Sequence, residues 1–195
     1  CCLPWTNNPK RPDKQIRELL PHYKQRMLAI DWGGGGEKGV SHTVVALMGF
    51  RNTGEIDVLW GARLLFGADH IREAKEIIRY AKIFNVDLIA HDYTGAGTVR
   101  DTLMIQAGYD ADRMISVALQ RTAAQDLMVH KPPTPLHHRP YYQLDKARSL
   151  LYTCQAIKLK QVKFFQYDWK AQDDPGLVAD FLALVSEKTE TRLVG

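Results

Sequence analysis

Apolar and polar positions along this chain follow two rhythms that alternate. Met27–Trp32, Thr43–Phe50 and Ile56–Phe66 are apolar runs of strand length, and the Asn52-Thr53-Gly54 turn joins the last two as a hairpin. Ala68–Phe84 changes period: Ile71, Ala74, Ile77, Ile78 and Ala81 recur at helical spacing, which predicts a surface helix. Val86–His91 predicts the next strand and Thr98–Ala107 the next helix, with Gly108 as its C-cap. Met114–Leu119 reads as a strand, Leu144–Leu159 as a helix, Val162–Tyr167 as a short strand and Leu177–Ser186 as a final helix. Residues 121–141 break the rhythm, and the run from Lys131 through Pro132, Pro133 and Pro135 to Pro140 reads as an exposed basic loop. Three meandering strands followed by alternating strand and helix units predict an α/β fold, a mixed sheet flanked by helices on both faces.

Residues 1–26 follow neither rhythm. They hold Pro4, Pro9, Pro12 and Pro21 among several Lys and Arg, and Lys14–Leu20 alone has helical character. We expect a basic linker or docking arm outside the sheet, with the domain proper spanning 27–195. The chain opens at Cys1 without an initiator Met, as a piece of a longer polypeptide does.

Composition narrows the class. A chain of 195 residues with 45% hydrophobic residues is long enough for one full core, and its charged fraction of 25% is that of a globular protein rather than a disordered one. No apolar run approaches the roughly 20 residues of a membrane helix, and no basic-then-apolar leader marks export. Cys1, Cys2 and Cys154 have no metal-ligand spacing and read as reduced intracellular thiols. The net charge of +4 is uneven: residues 1–26 and 121–170 are basic, whereas 27–120 and 171–195 are acidic. Acids to hold metal flanked by bases to hold phosphate would give this pattern, as would ordinary clustering on a solvated surface.

The candidate chemistry lies where two apolar runs end. Met27-Leu28-Ala29-Ile30 leads into Asp31 and Gly33–Gly36, and Val86–Ala90 leads into His91-Asp92-Tyr93-Thr94-Gly95. A carboxylate at a strand end sits on the rim of a sheet, where it can reach a metal, and glycines beside it let a phosphodiester approach. Either acid alone could equally cap a turn or a helix. A metal pair needs a third carboxylate. Asp180, within Leu177–Val185, is an acid in an otherwise apolar stretch and either lies on a narrow polar stripe or faces a cation. Asp174, beside Asp173 and before Pro175, looks more like a helix-start residue and is the reserve. Gly33–Gly36 with Lys38-Gly39 does not make a phosphate loop, which needs Gly-Lys followed by Ser or Thr opening a helix. His42, His91, His137 and His138 suit core or surface roles better than ligation, and no zinc spacing or Gly-x-Ser-x-Gly elbow occurs.

With these residues in view, the chain from about Met27 to Lys188 resembles the C-terminal nuclease domain of the tailed-bacteriophage terminase large subunit. Ala29-Ile30-Asp31-Trp32-Gly33-Gly34 matches the first-strand acid, and Ala90-His91-Asp92-Tyr93-Thr94-Gly95-Ala96-Gly97 the second. Gln143–Leu150 resembles the helix before the last strand, and Ala179–Leu184 the helix with the third acid. The resemblance implies an RNase H-like fold and a metal-dependent endonuclease that cleaves double-stranded DNA during viral genome packaging. It also implies a preceding ATPase domain of the same polypeptide, portal and small terminase subunit as partners, and action in the host cytoplasm. Asp31 would bridge two Mg²⁺ or Mn²⁺ ions, Asp92 and Asp180 would each serve one, and Lys131, Arg139, Lys146 and Arg148 would grip phosphates. Two other classes share the expected fold: a junction resolvase or transposase core, and a non-catalytic DNA-binding or motor-docking module.

Overall fold

The computed structural model describes residues 2–6, 14–33, 42–64, 69–95, 97–120 and 126–166. Nine strands form one sheet: β1 (Cys2–Thr6), β2 (Gln25–Asp31), β3 (Thr43–Phe50), β4 (Ile56–Leu64), β5 (Leu88–Asp92), β6 (Met114–Gln120), β7 (Met128–Lys131), β8 (Tyr141–Asp145) and β9 (Val162–Gln166). The described residues also form four α-helices: α1 (Lys14–Leu19), α2 (His70–Ile83), α3 (Gly97–Gln106) and α4 (Lys146–Lys158). The sheet order is β1-β9-β4-β3-β2-β5-β6-β8-β7. Only β3 and β7 run antiparallel to the rest, so β2, β5, β6, β8 and β9 all end at the same edge of the sheet.

Local sequence explains most of these elements. The β3–β4 hairpin closes on Gly54, whose positive φ of 87° suits glycine, with Arg51 N–H bonded to Glu55 C=O at 2.9 Å. Asp69 caps α2 by accepting from Arg72 N–H, and Gly108 ends α3 at φ 89° as expected. The α2 face carrying Ala74, Ile77, Tyr80 and Ala81 joins the core cluster that includes Trp60, Val45 and Leu47, and the Tyr80 ring lies 4.7 Å from that of Trp60. The connections through α2 and α3 step across the sheet in one direction and that through α4 steps back, so right-handed crossovers put α4 on the opposite face. At their N-terminal ends β2 and β5 are pinned by Arg26, which meets Asp87 twice at 3.2 Å. No helix among the described residues is long and apolar enough to cross a membrane.

Two expectations are corrected. The described part of residues 1–26 does not stand outside the fold: Cys2–Thr6 forms the edge strand of the sheet, parallel to β9, and Leu3, Ile16, Leu20 and Tyr23 belong to the core. Tyr23 lays its ring on Gly49 and donates its hydroxyl to buried Asp57 at 2.7 Å. Burial and that carboxylate push the Tyr23 phenol well above its usual range. Pro4 lies within that edge strand and Pro21 in the short turn Leu20–His22, so neither keeps its residues off the core. Nor is 121–141 wholly irregular, because Met128–Lys131 and Tyr141–Asp145 pair as a hairpin around residues 132–140. Tyr141-Tyr142-Gln143-Leu144 finds its ladder on β6, a neighbour that local pattern does not reveal. As a result α4 starts at Lys146, capped by Asp145, rather than at Leu144. The expected helix Leu177–Ser186 lies outside the described residues, as do Asp174 and Asp180.

Candidate active site

Asp31 and Asp92 close adjacent parallel strands. Ile30 pairs with His91 in register, so the two aspartates follow at the same level on backbones about 4.8 Å apart and project to the same side of the sheet. Burial of its surroundings and then the negative charge of Asp92 push the Asp31 carboxyl up, while Lys146 pulls it down. The pair is thus electrostatically coupled, and a cation would be drawn to it. Asp92 is held by its own turn: Oδ1 accepts from Thr94 N–H at 2.9 Å and from Thr94 Oγ1 at 2.8 Å. The turn cap that the sequence allowed for Asp92 is therefore present. Among the described residues no group of three His, Cys, Asp or Glu is placed to hold a metal ion.

Behind the acids lies a buried polar layer. Gly33 N–H donates to Thr43 Oγ1 at 3.0 Å, and Gly33 C=O accepts from Arg100 Nη2 at 2.6 Å. Gly33, read from sequence as part of a flexible turn, is hydrogen-bonded on both sides. The Trp32 indole donates to His91 Nδ1 at 3.3 Å, a nitrogen that also lies 3.1 Å from the Asp92 carbonyl. An indole N–H can only donate, which puts the imidazole proton on Nε2, 3.0 Å from Asp101 Oδ1. His91 is a core histidine, one of the two roles its sequence left open. Arg100 and Asp101 were missed in the sequence, although Gly97, Arg100, Asp101 and Met104 are all buried at spacings of one helical face. Two charges on a core stripe are the signal.

The four expected phosphate contacts separate. Lys146 is exposed in the first turn of α4, close enough to Asp31 to influence its charge. Arg148 is exposed two residues on, its N–H bonded to Asp145 Oδ1 at 2.9 Å. Lys131 is half-buried on β7, opposite Tyr141. Arg139 turns inward instead: Nη1 meets Asp101 Oδ1 at 2.8 Å and Nη2 meets Ala111 C=O at 2.5 Å. Its guanidinium is a strut between the β7–β8 loop and α3, and is not presented to a ligand.

This mixed sheet with helices on both faces is an RNase H-like fold. Among solved structures it is similar to the human cytomegalovirus terminase nuclease domain, with a TM-score of 0.51 and 15% sequence identity over 91% of this chain and 86% of that one. The fold is therefore terminase-nuclease-like. No protein-family model and no curated protein sequence matches the chain.

Proposed function

We propose that this chain is a divalent-metal-dependent endonuclease that cuts double-stranded DNA during viral genome packaging, as in the tailed-phage terminase large subunit. The supporting observation is the pair of coupled carboxylates, Asp31 and Asp92, at the ends of neighbouring parallel strands. Two mutually repelling hard oxygen donors suit Mg²⁺ or Mn²⁺ and do not favour a thiolate-seeking metal. Asp180 is the third ligand, with Asp174 as the alternative. Both follow β9, and β9 ends at the same sheet edge as Asp31 and Asp92.

When bound, a pair of such ions activates water for attack on phosphorus and stabilises the leaving 3′ oxygen. The side chains do the rest. Asp31, Asp92 and Asp180 would hold the ions, with Asp31 as the ligand common to both, Asp92 serving one and Asp180 the other. Thr94 fixes the orientation of the Asp92 carboxylate before any ion arrives. Lys146, Arg148 and Lys131 grip phosphates without reading bases, which makes binding fall steeply with salt. Further partners on this reading are an ATPase domain of the same polypeptide, the portal and a small terminase subunit, all in the host cytoplasm.

The test is cleavage of linear duplex, branched DNA and RNA–DNA hybrid by the whole chain with Mn²⁺, Mg²⁺ or chelator. Metal-dependent cutting of linear duplex that Asp31→Asn and Asp92→Asn each abolish is expected. Wild-type rates in both variants would remove the site assignment. Preference for branched DNA or hybrid would move the protein to the resolvase or RNase H class, and DNA binding without metal uptake would make it a docking module.

A further inference from the structure

Arg100 and Asp101 are adjacent in α3 and each is only 2% exposed. Their charges leave the helix in two directions. Arg100 Nη2 bonds the Gly33 carbonyl at 2.6 Å and lies 3.2 Å from His70 Nδ1. Arg100 Nε faces Glu73 Oε2 at 3.4 Å as an ion pair without hydrogen-bond geometry, and the guanidinium lies 5.1 Å from the Trp32 ring centroid. Asp101 Oδ1 receives His91 Nε2 at 3.0 Å, Ser116 Oγ at 3.2 Å and Arg139 Nη1 at 2.8 Å. Gly33 lies two residues after Asp31, and His91 one residue before Asp92. The Trp32 indole closes the loop between the two arms through His91.

Buried ion pairs are a poor means of gaining stability, since desolvation cancels most of the attraction and well-packed apolar residues do as well. Here four charged groups, Arg100, Glu73, Asp101 and Arg139, converge at the backs of two carboxylates that repel each other. Hydrogen bonds to the backbone at Gly33 and to the ring of His91 resist the separation that this repulsion drives. We infer that Arg100 and Asp101 form a two-armed clamp from α3 that sets the spacing of Asp31 and Asp92 and so tunes their affinity for divalent metal. They are positioning residues and touch neither metal nor DNA. The inference rests on the metal-site reading of Asp31 and Asp92.

Mn²⁺ titration calorimetry on the whole chain, paired with thermal melting in chelator, tests the clamp. Arg100→Met and Asp101→Asn should weaken Mn²⁺ binding about 10- to 100-fold, the usual effect of removing a partner behind a metal ligand. Arg100→Lys, which keeps one donor for Gly33, should recover part of that loss. Val162→Ala, a buried residue of β9, which β4 and β3 separate from β2, should lower the melting temperature and leave Mn²⁺ affinity unchanged, which separates positioning from general destabilisation. Asp101→Asn should also shift the Trp32 indole N–H resonance of the metal-free protein, because His91 exchanges a charged acceptor for the weaker neutral amide oxygen. Asp101→Asn preserves volume, so it reports even where Arg100→Met does not fold. Should Asp31→Asn lose Mn²⁺ while the Arg100 and Asp101 variants bind like wild type, the clamp is wrong and the metal site stands. Absence of Mn²⁺ binding in the wild type overturns both.

Discussion

The α-carbon of Gly97 packs against the main-chain carbonyl of Asp92 so closely that a β-carbon there would fall far inside van der Waals contact. Gly97 also donates its N–H to Thr94 C=O at 2.9 Å, so α3 begins directly on the turn that holds the Asp92 carboxylate. The glycine is a spacing device between helix and site. Gly97→Ala must displace either the Asp92 backbone or α3. We expect about 1–3 kcal/mol of destabilisation, the usual cost of overpacking, together with weaker Mn²⁺ binding. Gly95 has φ 52° but open space around it, so Gly95→Ala pays only about 1 kcal/mol of backbone strain. Melting curves and Mn²⁺ titrations of the two variants distinguish close approach from simple backbone strain.

Asp31 carries a pH signature. Burial and the charge of Asp92 raise its carboxyl above the ordinary aspartate value, so the native state holds this proton more tightly than the unfolded chain. By linkage its contribution to metal-free stability is lost as pH rises from the ordinary value through the raised one, and the full penalty persists at neutral pH. Asp31→Asn should therefore melt higher than wild type in chelator at pH 7, with the difference shrinking towards acid. With Mn²⁺ present the order should reverse. A variant that melts lower than wild type in chelator at pH 7 would contradict the coupling.

The N-terminal segment is part of the folding unit. Ile16 is fully buried in the same cluster as Leu20, Tyr23 and the β3 core residues. Ile16→Ala should cost about 2–5 kcal/mol, as truncation of a buried aliphatic side chain does, and denaturant unfolding would measure it. A free arm would show no change.

Lys146 serves both the acids and the expected phosphates. Its positive charge lowers the Asp31 carboxyl, and it lies exposed at the first turn of α4. Lys146→Met should raise the Asp31 titration further and weaken duplex binding, with the slope of log affinity against log salt falling by about one unit. Arg139→Met should destabilise the fold, because buried Asp101 loses the guanidinium among its three partners, and should leave that slope unchanged. Binding isotherms at several salt concentrations decide between the two kinds of arginine and lysine role.

The sequence by itself determined the elements whose causes are local. An apolar run closed by turn residues located the ends of β2 and β5, hence Asp31 and Asp92, and the 3.6-residue period located α2. Glycines at positive φ marked Gly54 and Gly108, because their conformation depends on one residue. Tertiary structure decided what depends on neighbours distant in the chain. Cys2–Thr6 became a strand because β9, which lies far along the chain, offered it an edge. Tyr141–Asp145 became one because β6 did. Periodicity says which side of an element is apolar, but it does not say which strand lies beside it. Nor does it say whether a charge on the core side has a partner. Arg139 looked like a phosphate contact until Asp101 appeared opposite it, and Arg100 and Asp101, not singled out in the sequence, stand out only once Gly33 and His91 lie against them. A buried charge is tolerated only where other elements bring its counter-charge and hydrogen bonds, and only the assembled fold supplies them.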